Sequence, residues 1–374
     1  MRIAHLGSKG IPSRGGTERV VEAVAVRHAE RHEVTVYGSR RVTQSGRYRG
    51  VSVVALPALS AKHAGPAVLE FLAAFHALAL GGYDVVHVHG SENGFVVPLL
   101  RLRYPVVTTN HGPAYEREKW SQVARVLIRA AERFSVIPAT CATAVAANQA
   151  DRLSEKYGHK VLHVPNGVDG DELADEMAAA AVLREHGLLG SRYVLFCAAR
   201  VDPTKGCHTL LEACRSMPEP PPVLIVGDLG HAPGYEAQLR ELAAGLDVSF
   251  VPRLDDKATV LGLLTLSSLF VFPSTIEAMS MMLLEALALG VLTLPSDIPE
   301  NVSVMPPEFR TFHAGDSKSL CDALQDLLAE DDAFRAMYAR RARTWVTERF
   351  DWDEIASAYE GLYRRALASR PARR

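Results

Sequence analysis

The stretch STIEAMSMMLLEALALG, residues 274–290, is mostly apolar but carries two carboxylates, Glu277 and Glu285, and no basic residue. Acidic side chains are seldom buried unless they are paired or bind a ligand. The run LFVFPS before the glutamates predicts a strand, and Met281 to Leu289 predicts a helix. Glu277 therefore falls in the turn and Glu285 about one helical turn later, which indicates a binding role for both.

A turn between a strand and a helix offers two kinds of ligand contact. Carboxylates at the mouth of the helix can accept hydrogen bonds from sugar or ribose hydroxyl groups. The backbone amides of Met279, Ser280 and Met281 can bind phosphate, because the first amides of a helix have no partner within it. The alternative is that Glu277 only caps the helix and that Glu285 faces solvent.

A second segment, CAARVDPTKGCHTLLEA, places two cations after a strand. Arg200 ends the strand, and Lys205 lies five residues later, before a helix that begins near His208. Two cations together with helix amides are suited to hold a diphosphate. Removing one such contact from a departing charge costs on the order of 10²–10³ in rate. The alternative is a pair of solvated loop charges.

A glycine turn follows the first predicted strand in the segment GSKGIPSRGGTERVVEA. Gly15 and Gly16 precede a helix whose free amides would attract phosphate or another anion. The segment lacks the G-x-G-x-x-G pattern of dinucleotide-binding proteins, which disfavours a nicotinamide dehydrogenase. A plain strand-to-helix turn with Thr17 as the helix cap is the alternative.

His111 follows the strand PVVTTN, at the end where parallel sheets bind ligands. A structural histidine is the alternative. Two D-x-D matches, Asp169–Asp171 and Asp351–Asp353, have the spacing of chelators for a nucleotide-bound metal. One lies in a turn and the other precedes a C-terminal helix, so we expect neither a metal nor another cofactor.

Strand-like apolar runs alternate with helical patterns along the chain. RIAHLG, DVVHVHG and PVVTTNHG are examples from the first half, and RYVLFCAAR, PVLIVGD and LFVFPS from the second. Runs that are apolar on both faces and are followed by helices predict parallel sheets covered by helices, an α/β class. Two such sets, separated by the turn PNGVDGDE, predict two doubly wound, Rossmann-like domains that face a central cleft.

Composition narrows the classes of function. The chain has 374 residues and a formal net charge of −2, which gives no electrostatic reason to expect nucleic acid as a partner. Its five cysteines form no C-x-x-C pair, which disfavours a zinc ribbon and favours a reducing cytoplasm. The basic tail YRRALASRPARR is compatible with a weak peripheral contact with anionic lipid at the inner membrane face, although a solvated end is the simpler interpretation.

The motifs stand in the order of a known family. The chain resembles, over essentially its whole length, the retaining nucleotide-sugar glycosyltransferases of family GT4, or glycosyltransferase group 1, which have the GT-B fold. The motifs that carry the resemblance are the E-x7-E pair, ARVDPTKG, VPNGVD and the early GG-T-E. The run GSKGIPSRGGTE is most similar to a bacterial rhamnosyltransferase-like subgroup. The resemblance implies an acceptor-binding domain over 1–166, to which a C-terminal helix at about 353–374 returns, and a nucleotide-sugar-binding domain over 167–352.

The resemblance also implies a role for each candidate residue. The donor diphosphate would be bound by Arg200 and Lys205 and would lie over Gly15 and Gly16. The donor sugar would be held by Glu277 and contacted by His111, whereas Glu285 would bind the ribose hydroxyls. The amides from Met279 to Met281 would contact phosphate and sugar.

The implied reaction is the metal-independent transfer of a hexosyl group from a nucleoside-diphosphate sugar, with UDP as the first expectation. The acceptor would be a hydroxyl of a glycan, a lipid-linked sugar or a small molecule in polysaccharide or secondary-metabolite biosynthesis. Ala278, Ser280 and Pro252 stand where the family commonly has glycine, and Pro252 leaves the base open. A GT-B-like sugar-nucleotide epimerase and a non-catalytic nucleotide-sugar-binding protein are the alternatives.

Overall fold

The computed structural model describes residues 1–13, 15–58, 64–113, 115, 122–170, 173–230 and 232–369. The chain divides into two compact units. The first unit comprises Met1–Gly167 together with Trp352–Arg374, and the second comprises Val168–Asp351. Each unit is built on its own sheet, and each is described separately below.

The first unit contains an eight-stranded sheet. Its strands are β1 (Arg2–Leu6), β2 (Glu33–Ser39), β3 (Gly46–Tyr48), β4 (Val51–Leu56), β5 (Val85–His89), β6 (Val106–Asn110), β7 (Cys141–Ala144) and β8 (Val161–His163). The strand order is β3-β4-β2-β1-β5-β6-β7-β8. All neighbouring strands are parallel except β3 and β4, which pair antiparallel at the edge.

The helices of the first unit cover both faces of this sheet. They are α1 (Gly16–Ala29), α2 (Ala64–Leu80), α3 (Val97–Arg101), α4 (Gln122–Val136) and α5 (Ala147–Tyr157), with a 3₁₀ turn at Ser91–Val96 and a helix at the end of the chain, Trp352–Ala368. Since crossovers between parallel strands are right-handed, α2 to α5 lie on one face and α1 on the other. The C-terminal helix packs beside α1, where His28 Nε2 lies 2.8 Å from the carbonyl oxygen of Ala356.

The second unit contains a five-stranded sheet of order β11-β10-β9-β12-β13, parallel throughout. Its strands are β9 (Val194–Arg200), β10 (Val223–Asp228), β11 (Val248–Val251), β12 (Leu269–Phe272) and β13 (Thr293–Pro295). Its helices are α6 (Glu176–Glu185), α7 (Cys207–Arg215), α8 (Pro233–Leu242), α9 (Lys257–Leu266), α10 (Met281–Ala288), α11 (Pro299–Val302), α12 (Ser317–Ala329) and α13 (Asp332–Arg349), so that the C-terminal helix Trp352–Ala368 is α14.

The predicted α/β class with parallel sheets is confirmed. Strands β5 and β6 are buried along their whole length, as expected for strands covered by helices on both faces. The structure differs from the expectations in detail. Helix α1 begins at Gly16, so Gly15 and not Thr17 is the capping residue. The antiparallel strand β3 has no counterpart among the predicted strands, because its sequence, Gly46–Tyr48, is not an apolar run. No helix in the described ranges is long and apolar enough to cross a membrane.

Candidate functional site

The second unit has a point where the direction of the chain across the sheet reverses. From β9 the chain proceeds through β10 to β11 on one side, and α9 then returns it to β12 on the other side of β9. The loops that follow β9 and β12 therefore leave in opposite directions and open a crevice at the carboxyl ends of these strands. Such reversal points are where open α/β sheets bind ligands. Arg200 and Lys205 follow β9, and Glu277 follows β12.

Gly206 brings these two loops into contact. Its φ of +68° lies in the left-handed region, and a Cβ built on it would lie 2.0 Å from the carbonyl oxygen of Pro273. The amide of Thr275 donates a hydrogen bond to the carbonyl oxygen of Thr204 at 2.8 Å. A side chain at position 206 would push the loops apart, so glycine is required both for backbone conformation and for space.

The contact between the loops pairs two of the predicted site residues. Lys205 Nζ lies 2.5 Å from Glu277 Oε1, and the two side chains are 26% and 12% exposed. Lys205 is therefore not the solvated loop charge of the alternative interpretation. Arg200 is exposed, and the described part of the chain provides it with no ion pair. Among the described residues at the end of β9 and after it, the crevice thus presents an exposed cation, Arg200, and a second one, Lys205, that a carboxylate orients.

The start of α10 supplies backbone donors near Glu277. Glu277 does not cap this helix, because the Ser280 hydroxyl accepts the hydrogen bond from the Leu283 amide at 3.3 Å. The amides of Met281 and Met282 precede the first possible acceptor within the helix and remain available to a ligand. Met279 and Met281 themselves are buried, so only their backbone can contact a ligand.

Glu285 does not face solvent: it is 1% exposed, and its Oε1 lies 2.9 Å from Nζ of Lys257, the first residue of α9. Sequence reasoning missed Lys257, because the pair joins two helices that are far apart in the chain. The available signal was the run DDK before an apolar helix, which places a lysine in the first turn. Glu285 also lines a narrow recess of about 10 Å³, the size of one water molecule, together with Val168, Asp169 and Gly170 and with residues of α9 and α10.

In the first unit, Gly15 and Gly16 stand where β1 leads into α1. Gly15 is extended, with φ −154° and ψ 175°, and a Cβ built on Gly16 would meet no atom within 4 Å. As far as the described residues show, the space beside Gly16 admits a ligand that approaches the N-terminus of α1. Of the D-x-D matches, Asp171 lies outside the described residues, and Asp353 forms an ion pair with Arg27.

His111 is connected to a row of imidazoles that sequence reasoning did not assign. His89 Nδ1 lies 3.2 Å from His111 Nε2, and His89 Nε2 lies 3.1 Å from His5 Nδ1. His87 contacts the hydroxyls of Tyr363 and Thr109 at 2.8 and 2.7 Å. We refer to the three fully buried residues His5, His87 and His89 as the histidine cluster. It arises because the register of β1 and β5 sets His5 opposite His87.

Burial keeps the histidine cluster neutral. It lowers the pKa of all three imidazoles, that of His5 to about 3, and repulsion from neighbouring imidazoles adds to the effect. One ring nitrogen of each lies within 4.8 Å of the others, a spacing that a metal ion would also accept. Contacts with protein groups occupy every ring nitrogen of the cluster except His5 Nε2, which has no partner among the described residues. The cluster is thus accounted for as a hydrogen-bond network that supports His111.

Glu70 is a second buried polar group that sequence reasoning missed. It lies on α2, near Gly7 at the end of β1, and its Oε2 has no partner in the described ranges. Burial raises the pKa of Glu70 to about 8, although the Gly7 amide lowers it. The carboxyl group is therefore neutral at pH 7. The available signal was a single acid in the apolar helix AVLEFLAAFHALAL.

Two family models match the chain, one in each half. Residues 14–172 match the model "Glycosyltransferase Family 4", and residues 181–345 match "Glycosyl transferases group 1". The chain belongs to glycosyltransferase family 4. The resemblance to this family is thereby confirmed.

Relatives and a solved structure agree with this assignment. The glycosyltransferase is 27% identical over 316 residues to D-inositol 3-phosphate glycosyltransferase of Xylanimonas cellulosilytica; the alignment covers 78% of this chain and 74% of the relative. It is 24% identical over 397 aligned positions to GDP-mannose:cellobiosyl-diphosphopolyprenol alpha-mannosyltransferase of Xanthomonas campestris, covering 99% and 98%. Sucrose-phosphate synthase of Thermosynechococcus elongatus superposes with a TM-score of 0.79 at 21% identity over 99% of this chain and all of that one. The predicted GT-B fold class is confirmed.

Proposed function

We propose that this glycosyltransferase moves a sugar from a nucleoside-diphosphate sugar to an acceptor hydroxyl with retention of anomeric configuration and without a metal ion. The observation that carries the proposal is the contact of Lys205 with Glu277 beside the free cation Arg200, at the reversal point of the second sheet. In this crevice the two cations would bind the donor diphosphate, and the carboxylate of Glu277 would accept hydrogen bonds from hydroxyl groups of the donor sugar. This arrangement supports the roles proposed for Arg200, Lys205 and Glu277.

The two cations act on the leaving group. As the bond between the sugar C1 and the diphosphate oxygen breaks, negative charge grows on that phosphate, and Arg200 and Lys205 neutralise it. Lys205 needs no reorganisation to do so, because Glu277 already holds its ammonium group. The free amides of Met281 and Met282 at the start of α10 add two hydrogen-bond donors to the same charge. These groups together support departure of the diphosphate without a metal.

Glu277 binds the sugar and does not attack it. Lys205 engages its Oε1, which leaves Oε2 to accept a hydrogen bond from a sugar hydroxyl. A carboxylate that is paired with an ammonium group is a poor nucleophile, so a covalent glycosyl intermediate on Glu277 is disfavoured. The acceptor oxygen then attacks from the face that the diphosphate leaves, and a phosphate oxygen takes its proton. This route gives retention.

The donor nucleoside and the acceptor are proposed as classes. Glu285, whose carboxylate pairs with Lys257, would bind the ribose of a UDP- or GDP-sugar. The Xanthomonas relative is named for GDP-mannose and a diphosphopolyprenol acceptor, and the Xylanimonas relative for an inositol phosphate. We propose a hydroxyl of a lipid-linked sugar, a glycan or a small molecule as the acceptor, on the cytoplasmic side of a membrane.

Incubation of the purified protein with UDP- and GDP-hexoses, with and without polyprenyl-diphosphate sugars and inositol phosphates, tests the proposal. We expect acceptor-dependent release of one nucleoside diphosphate, unchanged by EDTA, and a product whose anomeric proton coupling matches that of the donor. Conversion of the donor sugar without an acceptor would instead show an epimerase. Saturable binding without turnover of any donor–acceptor pair would show a binding protein.

A further inference from the structure

Exposed apolar side chains are concentrated on one face of the first unit. Of the sixteen large apolar side chains that are exposed in the described ranges, eleven lie on α2, the 3₁₀ turn Ser91–Val96, α3 with the residue after it, and α4 with the residue after it. These elements are neighbours on the same face of the sheet. Isolated exposed apolar residues are ordinary, but a contiguous patch of this kind marks an interaction surface. We refer to this patch as the α2–α4 surface.

Helix α4 has two apolar faces. Ile128 and Ala131 face the sheet and are buried, whereas Val123, Val126 and Leu127 are 71%, 62% and 55% exposed. The exposed set recurs at helical spacing, so it forms a stripe along the side of the helix away from the core. Among the described residues of the first unit, none covers that stripe. We therefore consider it a candidate contact surface.

The stripe of α4 continues onto the neighbouring elements. The rings of Phe134 on α4 and Phe95 in the 3₁₀ turn lie 5.5 Å apart. Beyond the turn, α2 presents Phe71 and Phe75, which are 40% and 56% exposed. The result is a broad apolar area carried by neighbouring helices.

The charges around the α2–α4 surface are almost all positive. Arg101, Arg129 and Arg133 are exposed, as is Arg103, two residues after the end of α3. Within the described residues of these elements, Glu92 is the exposed carboxylate, since Glu70 and Glu132 are buried. Long arginine side chains can place their guanidinium groups at lipid phosphates while their stems lie against acyl chains. An apolar area with a cationic rim is complementary to an anionic bilayer.

We propose that the α2–α4 surface docks this protein on an anionic lipid bilayer, with α4 lying in the plane of the interface. The exposed apolar stripe of α4 and the exposed Arg129 and Arg133 on the same helix fit a helix that lies in a membrane interface. This proposal does not depend on the proposed reaction, because docking needs neither donor nor acceptor. The basic C-terminal tail, for which the sequence analysis considered a lipid contact, is not part of the proposed docking surface.

Sedimentation of the full-length protein with vesicles tests the docking surface. Vesicles of phosphatidylcholine with about 30% phosphatidylglycerol are compared with phosphatidylcholine alone. We expect binding to the anionic vesicles, a loss of at least tenfold in L127E and V126E, and a loss of about fivefold in R129Q or R133Q. The matched control is M177E, which introduces the same charge at a methionine that is 86% exposed on the second unit. It should bind like the wild type.

Two further comparisons keep the result interpretable. Circular dichroism and thermal unfolding of L127E should match the wild type, because the side chain is largely exposed. Truncation after Ser369 should preserve vesicle binding. Wild-type binding by L127E and V126E, or loss of binding on truncation alone, would overturn the proposal. A concentration-dependent dimer that L127E abolishes, without vesicle binding, would assign the surface to a second copy of the chain instead.

Discussion

Replacement of Arg200 by glutamine tests whether this residue acts in the reaction without contributing to the stability of the fold. Arg200 is exposed, and the described residues provide it with no ion pair, so its removal should change the free energy of unfolding by less than about 0.5 kcal/mol. A unit positive charge about 4 Å from a developing negative charge contributes about 4 kcal/mol at an effective dielectric constant near 20. Measured losses for one such contact correspond to about 2.7–4 kcal/mol, or 10²–10³ in rate.

We therefore expect R200Q to reduce kcat/KM for the donor by about 10²–10³ while its unfolding curve stays unchanged. The rate is measured as release of nucleoside diphosphate at donor concentrations below KM. R215Q is the matched control, because Arg215 is an exposed arginine of the same unit at the opposite end of α7. A kcat/KM for R200Q within threefold of the wild type would refute the assigned role, as would an equal loss in R215Q.

Three other predictions concern the loops and the buried titratable groups. Replacement of Gly206 by alanine should destabilise the protein by more than the roughly 1–2 kcal/mol that a left-handed backbone costs an alanine, and it should abolish nucleotide binding. Alanine at Gly187, which has φ +70° and open space around it, should cost only that backbone strain. Equal unfolding curves for the two variants would contradict the close contact between Gly206 and Pro273. The contribution of the histidine cluster to stability should fall as pH decreases below 6.5, by about 1.4 kcal/mol per pH unit for each histidine, because the unfolded chain binds protons that the buried rings do not. Urea unfolding at pH 7.5 and 5.5 should therefore show a smaller loss of stability in His5→Leu than in the wild type. An unchanged loss would count against an uncharged, buried His5. Glu70 contributes with the opposite sign, because its raised pKa destabilises the fold as pH rises from about 4.5 to about 8. Glu70→Gln removes this contribution, so the stability of the variant relative to the wild type should be greater at pH 7.5 than at pH 5.5, and an equal difference at both pH values would exclude it.

The alternation of apolar runs and helical patterns was enough to predict the α/β class and the parallel sheets. The same pattern did not predict which apolar side chains of a helix are buried and which are exposed. Helix α2 is apolar on all sides, a pattern that normally indicates a buried helix, yet Phe75 is 56% exposed. The sequence shows that a side chain is apolar, but it does not show which of its faces the rest of the fold covers.

Within the candidate site, motif spacing placed Lys205 and Glu277 in two loops but did not show that they touch. Their contact depends on β9 and β12 being neighbours and on Gly206 admitting the loop, and neither is visible in the sequence. The same reason explains why Lys257 was missed as the partner of Glu285. The histidine cluster likewise depends on strand register, because His5 is brought opposite His87 only by the pairing of β1 with β5.

Thermal unfolding with UDP, GDP, dTDP and NAD tests most directly whether the crevice of the second unit binds a nucleoside diphosphate. A ligand at 100 times its dissociation constant stabilises the folded state by about 2.7 kcal/mol, which is readily measured. We predict stabilisation by UDP or GDP that is lost when Arg200 and Lys205 are both replaced and is retained in R215Q. Stabilisation by NAD alone, or stabilisation by a diphosphate that survives the double replacement, would contradict the assignment of this crevice as the donor site.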